Sequence, residues 1–202
     1  MSQVRVLVDE NHDLPLTRVT LTVLSGGADD PPGREGLAYF ASELACRGAG
    51  GRTREEIDEA FERLGGDLAV SADADCVTWD VEVLSAHLPA AFSLLCDVVL
   101  RADLPEVEAE KLRREMHAAL DDLRDDDSAV GRRFFARQLY GDHPYGRPLG
   151  GTAASIDRLD TADARRWLER VTCGANVIVT AAGDVDTAGF QTLVRRRLGV
   201  LR

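Results

Sequence analysis

The sequence has no apolar run near the ~20 residues that a membrane-spanning helix needs. Met1 to Asn11 also lack the charged start and long apolar core of a secretion signal. These absences predict a cytoplasmic protein without membrane contact. Positive charge is scarce: 24 Lys and Arg stand against 35 Asp and Glu, a formal net charge of −11. Nucleic-acid binding needs a basic footprint on the phosphates, so no nucleic-acid partner is expected. An acidic chain can attract a basic peptide, and acidity also simply aids solubility. The four cysteines (Cys46, Cys76, Cys96, Cys173) lie far apart without a C-x-x-C pair. A thiolate zinc site is therefore not expected. The cysteines read as buried free thiols, with a disulfide framework as the lesser alternative. No linker, repeat or low-complexity segment divides the 202 residues, so a single domain over 1–202 is expected.

What the chain does have is a clear alternation of patterns, and 45% hydrophobic residues suffice for a core. Val4 to Val8 and Arg18 to Leu24 read as two strands joined by a loop containing Pro15. After the breaker-rich loop Gly26 to Gly33, a helix is expected from Leu37 to Arg47, stopped by Gly48, Gly50 and Gly51 acting as a left-handed cap. Thr53 and Glu56 form a capping-box pattern for a helix over Arg54 to Leu64, whose apolar residues share one face. Gly65 and Gly66 end it. Asp67 to Ser71 and Cys76 to Leu84 read as a strand pair, and Leu88 to Leu100 as an apolar helix. Further helices are expected at Glu106 to Arg124, Ala129 to Tyr140, Thr161 (as cap) to Arg170 and Thr187 to Leu198, with a strand at Asn176 to Ala182. Strands and helices do not alternate singly. The fold class expected is α+β, a largely antiparallel sheet with helices packed on it.

Four segments each resemble a stretch of one family's pattern. Gly26 to Ala38 resembles the family's G-x-x-x-x-P-x-x-x-G-L-A lead-in. Leu64-Gly65-Gly66-Asp67-Leu68-Ala69-Val70-Ser71 resembles L-G-G-x-x-N-A-x-T. Leu139 to Arg147 resembles L-Y-G-x-H-P-Y-G-R, and Gly183-Asp184-Val185 resembles a late G-D-V. Together the four segments are similar to those of the pitrilysin/insulinase family, the inverted-zincin metallopeptidases that include the mitochondrial processing peptidases. In the family's H-x-x-E-H helix, two histidines hold zinc and the glutamate is the general base. The matching positions here are Tyr39, Ser42 and Glu43. The family's third ligand, a glutamate seven residues after another, matches Glu115 with Glu108. The resemblance therefore implies a zinc-site-degenerate subunit with no catalytic residue and no cofactor of its own. It implies a zinc-bearing partner subunit and a peptide substrate, bound along the edge strand Asp67, Leu68, Ala69, Val70 and Ser71. It also implies that the family's second domain is absent from this chain, leaving a fragment or a system split across polypeptides.

The residues carry other readings. Tyr39, Glu43 and Glu115 offer two carboxylates, a phenol and no imidazole, which makes at most a weak divalent-ion site. The competing reading is a packed Tyr39 with Glu43 solvated or hydrogen-bonded in the cleft. His117, two residues beyond Glu115, points to a different helix face. Ser42 lacks the G-x-S-x-G elbow of a nucleophile. The run Asp121 to Asp127 can draw a basic leader peptide, and equally forms a solvated helix end. His143-Pro144-Tyr145 reads as a structural turn. Gly48-Ala49-Gly50-Gly51 lacks the Lys-Ser/Thr of a phosphate loop. Besides the non-catalytic subunit, two functions remain open: a stand-alone peptide-binding or scaffold domain, and a metallopeptidase with altered ligands.

Overall fold

A computed structural model describes residues 4–201; Met1–Gln3, at the head of the segment tested for a secretion signal, and Arg202 lie outside it. Strand β2 (Leu16–Val23) buries every second side chain, Thr17, Val19, Leu21 and Val23. Strands β6 (Val77–Leu84) and β7 (Val177–Gly183) do the same with Val77, Trp79, Val81 and Val83, and with Val177, Val179 and Ala181. This two-residue period gives the sheet one apolar face and one polar face. Thr20 and Arg18 bond Asp80 on the polar side.

The five-stranded sheet has the order β1-β7-β2-β6-β5, with β1 at Arg5–Glu10 and β5 at Asp67–Ala72. Three of its pairings are antiparallel, as the α+β expectation requires. The exception is β1, which runs parallel to β7. The first two strands thus do not pair with each other, because β7 arrives late in the chain and lies between them. β5 forms the far edge.

Helices pack on the apolar face and on one another. They are α1 (Leu37–Ala45), α2 (Arg54–Arg63), α3 (Leu88–Leu100), α4 (Glu106–Arg124), α5 (Asp127–Tyr140), α6 (Ala153–Ile156), α7 (Thr161–Val171) and α8 (Thr187–Leu198). The short α6 has no apolar period and was not expected. α1 lies in the middle, against α7, β5 and α4, with Phe40, Ala41, Leu44 and Ala45 at zero exposure. A helix apolar on so many sides belongs inside a core.

Three local expectations need correction. Gly48, Gly50 and Gly51 do not cap α1, which ends at Cys46 in right-handed geometry. They build a hairpin instead: β3 (Gly48–Ala49) and β4 (Arg52–Thr53) flank Gly50 and Gly51, both at positive φ. Two such residues are what a two-residue turn demands between twisted strands. α7 is capped by Asp160, whose carboxylate accepts the Asp163 N–H, and Thr161 is already helical. α5 starts earlier than Ala129, because the Asp126 carboxylate accepts the N–H groups of Ser128 and Ala129. The box at Thr53 and Glu56 forms in both directions, as expected. All four cysteines are free, though only Cys96 is fully buried. Among the described residues, no helix is long and apolar enough to cross a membrane.

Candidate functional site

The site begins with Asp30, a buried residue in the loop before α1. Its two carboxylate oxygens accept the N–H groups of Gly36, Leu37 and Ala38 at 2.8–3.0 Å. Gly36 stands at φ 92°, a left-handed turn into the helix. Burial pushes the Asp30 carboxyl up to about 7, and the three N–H donors pull against it. This anchor fixes the start of α1 and so aims Tyr39 and Glu43.

Tyr39, Glu43 and Arg47 follow at four-residue steps and share one face of α1 and its last turn. Glu108, Lys111 and Glu115 form the matching stripe on α4. Between the stripes, Arg47 is 5% exposed and grips Glu115 bidentately, Nη1 to Oε1 at 3.0 Å and Nη2 to Oε2 at 2.5 Å. Its Nη1 also lies 3.9 Å from Glu108 Oε2, while Lys111 bonds the other Glu108 oxygen at 2.6 Å. The Arg47 hydrogen bonds hold the Glu115 carboxyl below its usual range. Burial pushes Glu43 up, with Arg47 pulling it back, and burial likewise raises the Tyr39 phenol.

Ser42 faces the other way. It is fully buried, and its hydroxyl donates to the Tyr39 carbonyl at 3.0 Å. It can serve neither as a base nor as a nucleophile. His117 turns from the site, with Nε2 2.8 Å from Asp157. The fold thus brings Tyr39, Glu43, Glu108 and Glu115 together and leaves Ser42 and His117 out.

A zinc ion does not fit this set. There is no imidazole, and Glu115 is already neutralised by a guanidinium. Among the described residues no group of three or more His, Cys, Asp or Glu is placed to hold a metal. Arg47 was missed by motif reading because it lies outside the H-x-x-E-H span. Its four-residue step from Glu43 was the signal that places it on the site's face. Asp30 was missed because a loop carboxylate carries no period.

β5 borders this region at the sheet edge. Asp67, Ala69 and Ser71 are exposed, while Leu68 and Val70 are half-buried. Its outer row of backbone groups has no strand partner among the described residues.

Fold and site together define a metallopeptidase-type domain in which an Arg47–Glu115 ion pair joins the turn after α1 to α4. Residues 5–153 match the family described as insulinase (Peptidase family M16), and the chain belongs to that family. It is similar to an uncharacterized zinc protease of Mycobacterium bovis, 33% identical over 180 residues, which covers 86% of this chain and 40% of that protein. It is also similar to subunit 1 of the mitochondrial cytochrome b-c1 complex of Bos taurus, 23% identical over 96% of this chain and 41% of that one. The solved peptidase M16 inactive domain from Pseudomonas fluorescens superposes with a TM-score of 0.94 at 23% identity, covering 99% of this chain and 49% of that one. The chain thus spans less than half the length of these proteins.

Proposed function

We propose that this chain is a non-catalytic subunit of a heteromeric zinc metallopeptidase. It forms one wall of a peptide chamber and stabilises a partner that carries an intact H-x-x-E-H and the zinc. The Arg47–Glu115 pair carries this reading. It takes up the one surviving ligand carboxylate with a cation that cannot polarise a carbonyl or activate water as zinc does. Two likenesses lend support: the Pseudomonas domain is described as inactive, and the bovine relative is named as one subunit of a complex. The test is to produce this chain with an H-x-x-E-H relative from the same cells. A stoichiometric complex is expected, with zinc bound at one ion per heterodimer and peptidase activity greater than that of the zinc-bearing chain alone. Zinc bound stoichiometrically by this chain by itself overturns the reading.

The open edge of β5 favours a second reading, a stand-alone peptide-binding domain. Strand addition uses backbone N–H and C=O groups and needs no zinc ligand. It predicts that peptides bind the isolated chain uncut, and that N-methylation of alternate peptide nitrogens abolishes binding.

A further inference from the structure

Tyr39 also closes one end of a cavity of about 730 Å³ that the site just described does not use. The floor is apolar, made by Met116, Leu120 and Leu123 of α4, and Leu149 lines it from the turn region that follows α5. Around it stand four guanidinium groups: Arg132, Arg133 and Arg137 on α5, and Arg147. No carboxylate is among its lining residues. In a chain of net charge −11 this is a local inversion of sign.

The structure does not neutralise these cations. Arg133 is half-buried, desolvation lowers its pKa, and Nη2 donates to the Gly151 carbonyl at 3.2 Å. Arg147 gives Nη1 to the Asp30 carbonyl at 3.0 Å. Arg137 donates to the Gly141 carbonyl, and its nearest carboxylate, Asp142 at 3.6 Å, is fully exposed. Among the described residues, Arg137 alone of the four has a carboxylate within ion-pair range. A guanidinium carries five N–H donors in a planar fork, so each of these has donors to spare. Arg133 and Arg147 are half-buried and Arg132 and Arg137 exposed; a partly desolvated cation without an anion is unfavourable, and a carboxylate is the group that fits such a fork bidentately.

We propose that this cavity takes a carboxylate of the bound peptide, from an Asp or Glu side chain or from the peptide's C-terminus, with a neighbouring apolar residue on the α4 floor. The inference rests on the peptide-chamber reading, and it gives that chamber a preference for acidic over basic peptide groups at this position. Tyr39 lines both the cavity and the degenerate site, so a peptide lying along the cleft reaches both.

The test is fluorescence polarisation with the full chain and labelled, N-acetylated octapeptides that differ at one central residue, Glu, Gln or Lys. Each is made with an amide and with a free-acid C-terminus. The Glu peptide, the free acid, or both are expected to bind about tenfold more tightly than the Gln amide, and the Lys amide more weakly. Gain from Glu assigns the side chain as the source, and gain from the free acid assigns the terminus. Arg132→Gln combined with Arg133→Gln should abolish the preference and leave the Gln amide within about twofold of its original Kd. Arg132→Gln alone, at an exposed position, should weaken the preference with Tm unchanged, which keeps the test valid if the double variant fails to fold. Equal binding of all the peptides overturns the carboxylate pocket and leaves peptide binding standing. Failure of every peptide to bind overturns the carboxylate pocket and the stand-alone peptide-binding domain, and the subunit reading is then decided by the complex test above.

Discussion

At Arg47 the chemistry of the site reduces to one guanidinium. Its side chain is 6% exposed, so its removal leaves Glu108, 12% exposed, facing Glu115 with too little positive charge between them. Breaking a buried pair from one side typically costs 3–5 kcal/mol. Glu115 is half exposed and can rehydrate, so Arg47→Met is expected at the lower end, about 3 kcal/mol, by urea unfolding. Glu115→Gln keeps the shape and leaves Arg47 with Glu108, so it should cost less, about 1 kcal/mol at neutral pH. The two variants also separate in acid. Glu115 has a folded pKa lowered from 4.5, so its contribution is complete above that value and lost as pH falls through the folded pKa. The stability gap between the parent chain and Glu115→Gln should therefore narrow as pH falls below about 4.5 and through the folded pKa. Asp30, raised by burial, acts with the opposite sign and cancels in the difference, whereas Glu43, raised by burial and also by the Glu115 charge, cancels only in its burial part. A gap that does not change as pH falls below the free-carboxyl range would mean that Arg47 does not hold Glu115 as an ion.

Individual elements show what a sequence can and cannot disclose. α2 ends in two glycines with separate duties. Gly65 stands at φ 75° and Gly66 donates to the Phe61 carbonyl at 3.1 Å, while Gly65 donates to Glu62 at 2.9 Å. These are the paired bonds of a Schellman cap. An added Cβ at Gly65 meets open space, so Gly65→Ala should cost only its backbone strain, about 1 kcal/mol. At Gly66 the Cβ would come 2.3 Å from the Glu82 carbonyl oxygen of β6. Gly66→Ala must therefore shift the start of β5 and should cost more than ~2 kcal/mol, with hydrogen exchange quickening in β5 first. Thermal melts of the two variants check the order. The cap at Gly65 and Gly66 was legible because it follows an amphipathic helix directly. The glycines at 50 and 51 were misread because the same residue type serves helix cap and hairpin turn, and only the pairing of Gly48 with Thr53 decides. The β1–β7 pair was illegible for a different reason: a period of two gives a strand its faces but not its neighbour. Glu115 was placed by the family resemblance, and its seven-residue step from Glu108 keeps the two on one helix face. The arginine cavity could not be placed, because α5 and the turn after it must fold back onto α4 before the four side chains meet.

The whole molecule leaves a surface that its own fold does not use. α5 buries none of its residues fully, and Phe134 and Phe135 are 67% and 65% exposed, with Leu139 at 60%. Phe135 and Leu139 are one turn apart and make a continuous apolar strip, which a chain of −11 charge does not need for its own stability. The relatives compared above are more than twice as long as the span they share with this chain, so each has further surface available to cover such a strip. In the proposed complex that cover comes from the zinc-bearing partner. Burying a phenylalanine side chain is worth about 1.5–3 kcal/mol, and every 1.4 kcal/mol is a factor of ten in affinity. Phe134→Ser with Phe135→Ser should therefore weaken the complex at least about tenfold, measured by calorimetry or interferometry. The same pair of changes should alter the stability of the chain alone by less than ~1 kcal/mol, because little of either ring is buried within it. The combination matters: a loss of affinity with unchanged stability identifies a docking strip. A loss of stability alone would place both rings in contacts within the chain, and unchanged affinity would put the partner on another face.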